Sequence, residues 1–460
     1  MKRAGDPILN LRRDLSRIVG AAHVLDPSQL DPYTHDATIQ RGLRAVPDAV
    51  VRPADAQELT RVLAWCYEHE LPIVARGGGS GLAGGALATE GGVICSTERL
   101  TGVLECEPQL WRISVQAGLS TANVQRLARE NGLLFAPDPG AGEQSQIGGN
   151  VATNAAGPHA FKYGPTGAWV SGLQVALAPG ELVNVGSHCR KDVGGYDLRA
   201  LLVGSEGTLG IITAVSLTLT PAPALAIPLA VFLENEQAAQ QALLEIIGGG
   251  LQPAVLDFLD GPALAVAMGS FPGSLPEGAG FLLLVEFDGS PEQVDAQLAE
   301  FHQLLAAEVL DIQRPDPSSL WRWRSGLNGL IAGQRGGKIS EDICVPPEHL
   351  GRASTEVTAI GARYGLAACC FGHAGDGIIH ATFMVDLTIE QQLSAALQAA
   401  REVFELALRL GGSVTGEHGI GVVKRGYLAA QLGAAGLQAH RQIKRALDPK
   451  GLLNPGTKDH

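Results

Sequence analysis

"AVVRPADAQELTRVLAWCYEHELPIVARGGGSG", residues 49–81, sets the fold of the first half of the chain. Apolar residues recur at helical spacing from Leu59 to Cys66, and Asp55 stands where a helix N-cap is expected. The short apolar runs on either side of this segment are typical of buried strands. The stretch therefore predicts a strand, a helix and a second strand that ends in a glycine-rich loop.

The loop "RGGGSGLAGG", residues 76–85, contains Gly79-x-Gly81-x-x-Gly84, the spacing of the dinucleotide-binding fingerprint. That fingerprint needs a helix directly after the loop, and the following "GALATEGG" is too short and too rich in glycine to form one. The loop instead offers unobstructed backbone N–H groups, which can bind a pyrophosphate without a helix.

Two further glycine-rich loops have the same character: "PDPGAGEQSQIGGNVATNAAG", residues 137–157, and "GSEGTLG", residues 204–210. Glycines in the first of them allow close backbone approach, while Ser145, Thr153 and Asn154 offer hydrogen bonds. Each loop follows an α/β unit. Three such loops predict one long cofactor that lies across them.

A predicted β-hairpin, "CFGHAGDGIIH" at residues 370–380, carries two histidines. Asp376-Gly377 is a dipeptide favoured in a two-residue hairpin turn. With that turn, His373 and His380 lie directly opposite each other, about 5 Å apart at Cβ, and could share a divalent ion. The alternative, two solvated or core histidines, stays open on this stretch alone.

Composition excludes several classes of protein. The net charge of −13 argues against a nucleic-acid partner and against a broad basic surface for anionic lipid. The chain has no run of 18 apolar residues, so no integral membrane segment is expected, and its start lacks the apolar core of a signal peptide. Seven cysteines without C-x-x-C spacing disfavour a disulfide framework or an iron–sulfur cluster on this chain. We expect a cytoplasmic protein, with peripheral attachment to the inner membrane face as the alternative.

At 460 residues, the chain is long enough for two or three domains. Composition changes after "PAPALAIP", where strands begin to alternate with amphipathic helices. We predict an N-terminal helical segment (1–45), a mixed α/β domain (46–222), an inserted α+β domain (223–410) and a helical C-terminal segment (411–460).

Six motifs stand in the order typical of one flavoprotein family: "VARGGGSGLAGGAL", "PDPG" with "IGGNVATNAAG", "YDLRALLVGSEGTLGIIT", "GHAGDGIIH", "GEHGIG" and "DPKGLLNPG". Over roughly residues 30–458, the chain resembles the FAD-linked oxidases of the vanillyl-alcohol-oxidase-type superfamily. Within that superfamily it is similar to the D-2-hydroxyacid dehydrogenase group, which includes D-lactate dehydrogenase, the FAD-linked subunit of glycolate oxidase and D-2-hydroxyglutarate dehydrogenase. The resemblance implies an α+β fold: a bipartite FAD-binding domain, an inserted α+β cap that carries substrate groups, and a helical C-terminal segment.

The resemblance also implies where FAD is held. The pyrophosphate would be wrapped by Arg76, Gly77, Gly78, Gly79, Ser80, Gly81 and Leu82. A second flank would be lined by Pro137, Asp138, Gly148, Gly149, Thr153, Asn154 and Gly157. The ribityl and adenine side would contact Glu206, Gly207, Gly210, Ile211 and Ile212, and Asn454 would return the C-terminus to the flavin.

By the same resemblance, His373, His380 and Glu417 would bind one divalent ion, with Zn²⁺ as the first choice and Mn²⁺ or Fe²⁺ as alternatives. The ion would hold the hydroxyl and carboxylate of a 2-hydroxy acid. His418 would take the hydroxyl proton, and hydride would pass from C2 to flavin N5. The alternative is a family member that keeps the histidines without a tightly bound ion.

A substrate carboxylate needs a cation, and the resemblance indicates Arg324, three residues after Trp321. Arg322 could exchange roles with it, and Arg324 could also be a solvated helix residue. Lys338 is a weaker candidate for a second cation, and Asn328 aligns loosely with a polar substrate residue of the family. Ile378 departs from the family's usual Asn, which would remove a substrate hydrogen bond or shift selectivity toward a less polar 2-hydroxy acid.

The function implied is FAD-dependent oxidation of a D-2-hydroxy acid, such as D-lactate, D-2-hydroxyglutarate or a glycolate-like acid, to the 2-oxo acid. Electrons would pass to a quinone, an electron-transfer flavoprotein or a partner subunit. Two alternatives stay open: a metal-independent flavin oxidase of another alcohol class, and a flavin-binding scaffold subunit of a multi-subunit glycolate oxidase. A homodimer is a further possibility that the sequence leaves open.

Overall fold

The computed structural model describes residues 8–305 and 309–458. Its helices are α1 (Ile8–Val19), α2 (Ala56–Glu68), α3 (Thr121–Glu130), α4 (Ile147–Thr153), α5 (Ala160–Tyr163), α6 (Leu198–Leu202), α7 (Glu236–Gly248), α8 (Gly261–Ala267), α9 (Pro291–Leu304), α10 (Pro317–Gly333), α11 (Leu350–Arg363), α12 (Glu390–Arg409) and α13 (Leu428–Leu447).

The strands of the described residues are β1 (Ala49–Val51), β2 (Ile73–Arg76), β3 (Val93–Ser96), β4 (Val103–Glu107), β5 (Arg112–Gln116), β6 (Leu133–Leu134), β7 (Val170–Leu177), β8 (Glu181–Gly186), β9 (Ile211–Thr218), β10 (Thr220–Pro221), β11 (Leu225–Leu233), β12 (Val255–Asp260), β13 (Phe281–Gly289), β14 (Asp311–Gln313), β15 (Lys338–Cys344), β16 (Ala367–His373) and β17 (Ile378–Met384).

The predicted strand–helix–strand unit forms a small parallel sheet of order β1-β3-β2, with α2 between β1 and β2 in the chain. Asp55 caps α2, since its side chain accepts a hydrogen bond from Glu58 N over 2.7 Å. The chain between β2 and β3 contains no helix in residues 77–92, which all lie in the described part of the structure. The glycine loop is therefore not a Rossmann turn, which agrees with the prediction from its sequence.

A second, antiparallel sheet has the order β4-β5-β9-β7-β8 and packs on α3 and α4. Its core contains Val115, Val175 and Val215, each fully buried. Ser120 caps α3, since its side chain accepts a hydrogen bond from Asn123 N over 3.3 Å.

The third sheet is also antiparallel, with the order β14-β11-β13-β12-β16-β17-β15. One face is apolar and is covered by α7, α9, α11 and α12. The other face is covered in part by α8 and α10, and elsewhere it carries polar side chains. Side chains alternate between the two faces of a strand, so the strand register determines which polar side chains share this region.

The polar region faces the first half of the chain. His159 Nε2 lies 3.4 Å from Glu286 Oε1 of β13, and Tyr163 donates to Asp288 Oδ2 over 2.7 Å. Lys162 also pairs with Asp288. These contacts join α5 and the residue before it to the polar face of the third sheet.

The β16–β17 hairpin corrects one prediction. His373 pairs with Ile378 and Phe371 pairs with His380, so the two histidines are diagonal neighbours and do not lie directly opposite. The turn spans residues 374–377, with Gly377 N donating to Ala374 O over 3.1 Å. The register moves by two residues because the turn has four residues and not two, and both imidazoles therefore keep the same face.

The C-terminal residues return to the first sheet: Leu453 bridges Ile73, and Asn454 N donates to Ile73 O over 2.8 Å. The sheets fall within the predicted segments, since β1–β10 lie in 46–222 and β11–β17 in 223–410. The domain boundaries themselves stay predictions. Among the described residues, no helix is both long and apolar enough to cross a membrane.

Candidate metal and cofactor site

Four titratable side chains lie on one face of the third sheet, on four adjacent strands. Asp257 pairs with His373 across β12 and β16, and His380 pairs with Asp342 across β17 and β15. Paired residues project to the same face, and the diagonal relation of the two histidines joins the pairs into one row. All four are buried.

The row meets the "GEHG" loop at Glu417. Glu417 Oε1 lies 3.7 Å from His373 Nε2 and 3.3 Å from His380 Nε2. One ligand atom from each of the three residues lies within 4.8 Å of the others. Two imidazole nitrogens and one carboxylate oxygen, buried and convergent, fit a divalent transition-metal ion that keeps open coordination positions.

The protonation of two of the three residues, His380 and Glu417, also suits this fit. Burial lowers the pKa of His380 to about 3, so its ring is neutral at ordinary pH. Burial opposes the charge on Glu417, but the facing imidazoles hold its pKa down at about 2. A neutral imidazole and an ionised carboxylate are the ligand forms that bind metal.

Asp257 contacts the ring nitrogen of His373 that faces away from Glu417. Nδ1 of His373 lies 2.6 Å from Asp257 Oδ1, which leaves Nε2 toward Glu417. Burial opposes the charge on Asp257, yet the charges of Arg324 and His373 hold its pKa at about 2. For His373, burial is outweighed by Asp257 and Glu417, which raise its pKa to about 10.

Arg324 is the predicted carboxylate-binding cation that the structure brings to this row. Its Nη2 lies 2.6 Å and its Nε 2.8 Å from Asp257 Oδ2, and its side chain is 12% exposed. Arg322 is exposed to solvent. Asp257 therefore contacts both a metal-ligand histidine and the candidate substrate cation.

Lys338 and Asn328 lie beside Arg324. Lys338 donates a hydrogen bond to Asn328 Oδ1, and the cationic groups of Lys338 and Arg324 lie 5.5 and 5.7 Å from the centre of the Phe371 ring. Burial lowers the pKa of Lys338 to about 8. Ile378 is buried next to the "GEHG" loop, where a Cβ added to Gly416 would meet its Cγ1 at 2.6 Å.

His418 completes the cluster. Its Nδ1 lies 3.0 Å from Asp342 Oδ1, and its ring stacks on His380 with centroids 5.4 Å apart. Its Nε2 lies 3.9 Å from Glu417 Oε1, so it points toward the candidate metal ligands. The structure thus brings His418 together with the three predicted ligands.

The three glycine-rich loops and the C-terminus are joined by hydrogen bonds. Gln144 donates to Gly78 O over 2.8 Å, and Gly204 N donates to Val151 O over 2.9 Å. Asn454 Nδ2 donates to Gly85 O and to Glu206 O, over 2.8 and 2.7 Å. Residues that are far apart in the chain therefore meet in one place.

The loops fit the FAD that the sequence predicts. Within the described chain, the backbone amides of residues 78–82 donate to no protein acceptor, and such a run of free N–H groups suits a pyrophosphate. A Cβ added to Gly81 or Gly149 would meet nothing within 4 Å, so both face open space. Asn454 Oδ1 is buried without a hydrogen-bond partner in the described structure.

Three residues of the predicted FAD set have their charged ends engaged by the protein. Arg76 donates to Pro32 O and His35 O over 3.0 and 2.8 Å. Asp138 pairs with His159 over 2.7 Å. Glu206 accepts from the amides of residues 420 and 421 over 2.9 and 2.7 Å. These side chains brace the loops, and their contact with FAD stays a prediction.

The other members of the predicted FAD set lie in the same loops. Thr153 donates to Gly149 O, Asn154 accepts from Gly167 N, and Pro137 O accepts from Gln125. Close packing explains several glycines, because an added Cβ would overlap a neighbour within 3 Å. They are Gly78, Gly79, Gly148, Gly157 and Gly210. Gly77 packs on Gln146, and Gly207 has φ +72°. Ser80 is half-buried and Leu82 is 44% exposed. Ile211 and Ile212 are buried in β9.

Sequence reasoning missed Asp257 and Asp342. The available signal was an acidic residue inside a mainly apolar strand, "VLDFLD" for the first and "SEDICV" for the second. A charge in such a strand is costly unless it is paired. The partners lie in other segments that are distant in the chain, so only the folded structure identifies them.

Family models match most of the chain. Residues 47–186 match an FAD binding domain, and residues 223–457 match the C-terminal domain of FAD linked oxidases. Glycolate oxidase subunit GlcD of Bacillus subtilis is 38% identical over 92% of this chain and 91% of its own length. D-lactate dehydrogenase of Archaeoglobus fulgidus is 34% identical over 96% of this chain and 98% of its own length. D-2-hydroxyglutarate dehydrogenase of Xanthomonas citri is 33% identical over 94% of this chain and 93% of its own length.

Solved structures share the fold. The crystal structure of p-cresol methylhydroxylase with substrate bound superposes with a TM-score of 0.78 at 18% identity, covering 98% of this chain and 97% of that chain. The 4-ethylphenol oxidase of Gulosibacter chungangensis superposes with a TM-score of 0.81 at 17% identity, covering 100% and 98%. The architecture is the vanillyl-alcohol-oxidase-type FAD-binding fold, as the sequence predicts.

Proposed function

The chain belongs to the FAD-linked oxidases, and from this premise we propose that it oxidises a D-2-hydroxy acid to the 2-oxo acid at a metal-assisted FAD site. The enzyme class is that of FAD-linked oxidoreductases acting on hydroxy acids. The proposal concerns the acid, the metal and the roles of the residues.

The observation that carries the proposal is the convergence of His373, His380 and Glu417 beside a buried arginine and a histidine. A 2-hydroxy acid presents a carboxylate and a neighbouring hydroxyl. The three ligands would hold a divalent ion that favours the ionised hydroxyl, and bound FAD supplies the acceptor for the hydride. An alcohol without a carboxylate would not need this arrangement.

Each remaining side chain has a defined task in this proposal. Arg324 binds the substrate carboxylate with the guanidinium N–H groups that Asp257 leaves free. His418 takes the hydroxyl proton at Nε2, since its Nδ1 faces Asp342. Lys338 provides a second positive charge near the same end of the substrate.

The substrate range follows from the groups around Phe371. Lys338 and Asn328 would suit a polar or anionic tail, as in 2-hydroxyglutarate, whereas buried Ile378 favours a short apolar tail, as in lactate. We propose lactate and glycolate as the better substrates, because Ile378 is paired with His373 across the hairpin and packs against Gly416 of the "GEHG" loop. Electrons then leave FAD for a quinone, an electron-transfer flavoprotein or a partner subunit; the relatives named as glycolate oxidase subunits support the last of these.

The test is an anaerobic titration of the holoenzyme with D-lactate, glycolate, D-2-hydroxyglutarate and D-malate, monitored by the visible flavin spectrum. We expect one or more acids to bleach the flavin, chelation to abolish bleaching, and Zn²⁺ or Mn²⁺ to restore it. A yellow protein that none of these acids bleaches would overturn the substrate class. Bleaching that resists chelation would overturn the metal.

His380→Asn removes one ligand and should lose bleaching at unchanged FAD content. His302→Asn is the matched control, since His302 is exposed on α9, outside the site. Equal loss in both variants would contradict the assignment of His380.

A further inference from the structure

Asp342 is a fully buried carboxylate at the centre of the site, on β15. One oxygen of its side chain accepts four hydrogen bonds from the "TGEH" segment, residues 415–418. Oδ2 accepts from Thr415 Oγ1 over 2.8 Å and from the amides of residues 416, 417 and 418 over 2.7, 2.8 and 3.0 Å.

These four bonds fix the shape of the segment. Successive amides that converge on one oxygen require a tight turn, and the turn lets adjacent side chains point in different directions. Glu417 points to the two candidate ligand histidines, while His418 points back along Asp342. The second end of the turn is held separately, because Glu206 accepts from Ile420 N and Gly421 N.

The other oxygen of the same carboxylate acts on a side chain. Oδ1 lies 3.0 Å from His418 Nδ1, and it also accepts from Lys424 Nζ. Lys424 is 1% exposed and donates to the backbone carbonyl of Asp342 over 2.8 Å. With Nδ1–H directed at a carboxylate, the lone pair of the neutral imidazole is at Nε2.

We propose that Asp342 is the positioning residue of this site: Oδ2 holds the turn that presents Glu417, and Oδ1 fixes the His418 tautomer whose Nε2 accepts the substrate proton. The inference rests on the proposed function for the role of the proton. The tautomer and the turn are properties of the protein without substrate.

The two oxygens can be separated by one substitution. In Asp342→Asn, the single amide oxygen takes the place of Oδ2, where four donors point at it. The amide NH₂ then faces His418 Nδ1 and Lys424 Nζ, and Lys424 keeps its hydrogen bond to the backbone carbonyl of residue 342. An N–H group that faces Nδ1 favours the opposite tautomer, with the proton on Nε2. The variant should therefore keep the turn and lose the base.

The first measurement is the rate constant of anaerobic flavin reduction in single turnover, using the acid that reduces the wild-type protein. We expect Asp342→Asn to slow reduction by roughly 10³–10⁴-fold, the scale seen when an orienting carboxylate is replaced by its amide. Substrate affinity, FAD content and zinc content should stay within about threefold of the wild-type values. Asp342→Ala, which removes both oxygens, should lose zinc as well.

Asp260→Asn is the matched control. Asp260 is also fully buried on a strand of the same sheet, and it accepts from two backbone amides, but it contacts Ser354 and not the "GEHG" loop. This change should alter thermal stability and leave the rate of flavin reduction unchanged. Equal rate losses in both variants would assign Asp342 a merely structural role and overturn the proposal.

The second measurement needs no folded variant at Asp342 and no turnover. ¹⁵N chemical shifts of histidine-labelled, zinc-loaded wild-type holoenzyme report which imidazole nitrogen carries the proton, and His418→Gln identifies the signal. We expect a protonated Nδ1 and an unprotonated Nε2 for His418. The opposite tautomer would overturn the inference, whereas a protein that no hydroxy acid reduces but that shows the expected tautomer would overturn only the proposed function.

Discussion

At the scale of single residues, Asp257 connects two functions that the sequence assigned separately. It accepts from His373 Nδ1 and from Arg324, so one buried carboxylate orients a candidate metal ligand and holds the candidate substrate cation. Asp257→Asn keeps the shape but removes the charge. We expect affinity for Zn²⁺ to fall about 10–100-fold, because removal of a ligand's hydrogen-bonding partner has that effect in other metal sites.

A competition titration of the FAD-loaded protein against a zinc-binding dye measures this change. Asp260→Asn, three residues further along β12, serves again as the control. Unchanged zinc affinity in Asp257→Asn would mean that His373 needs no support from that carboxylate.

Lys338, the proposed second cation for the substrate, should make substrate binding depend on pH. Its pKa is lowered to about 8 because burial disfavours the charged form. Only the protonated ammonium attracts a carboxylate, so KM should rise as pH increases through about 8, while binding is strongest below that value. Steady-state kinetics between pH 6.5 and 9.5 measure this profile.

Lys338→Arg separates this effect from other ionisations, since arginine stays charged over the whole range. The variant should show a flat KM from pH 7 to 9. If its KM rises as steeply as in the wild-type protein, another group is responsible.

The residues that the sequence located are those in short motifs. The "GHAGDGIIH" and "GEHGIG" motifs, through the family resemblance, predict the candidate ligands and the candidate base whatever the strand order. Asp257 and Asp342 could not be assigned in this way, because their partners are defined by pairs such as Asp257 with His373, which lie on two strands and are 116 residues apart in the chain.

At the scale of elements, the turn between β16 and β17 sets the distance between the histidines. Gly377 has φ +70°, and an added Cβ would lie 1.9 Å from Val345 O. Gly377→Ala must therefore move either the turn or β15, which carries Asp342. We expect a loss of zinc affinity together with a lower Tm.

Gly365→Ala is the control for this change. Gly365 has nearly the same φ, +68°, but an added Cβ would meet nothing within 4 Å. It should cost about 1 kcal/mol for the backbone conformation alone and leave zinc binding intact. Similar stability losses in the two variants would show that the close approach to Val345 is unimportant.

Sequence signals predicted secondary structure well where the interaction joins residues that are close in the chain. Asp55 caps its helix as expected, since a cap depends on residues three positions away. The predicted hairpin register was wrong because Asp376-Gly377 is common in two-residue turns. This turn also accepts a hydrogen bond from Val345 N, the residue after β15, which donates to Gly377 O over 2.9 Å. Tertiary hydrogen bonding decided the turn length.

At the scale of the whole molecule, the candidate metal site joins two distant segments, the β16–β17 hairpin and the "GEHG" loop. A ligand that binds only the folded state stabilises it by about 2.7 kcal/mol at a concentration of 100 Kd. Chelation should therefore lower Tm by a few degrees while the protein stays yellow. Thermal scans with and without Zn²⁺ measure the shift.

The His380→Asn variant should show a much smaller shift, and His302→Asn a normal one. Chelation that releases FAD along with the metal would contradict this prediction, because the glycine-rich loops that fit FAD share no ligand with the His373, His380 and Glu417 cluster.

The contact between Leu453 and Ile73 has a consequence for how the protein is made. β2 is separated by most of the chain from the residues that complete its edge. While the ribosome translates the intervening sequence, the edge of the nascent first sheet stays uncovered and Asn454 is absent from the meeting point of the loops. We therefore expect a chain that is truncated before Leu453 to bind FAD poorly, because both features are then missing.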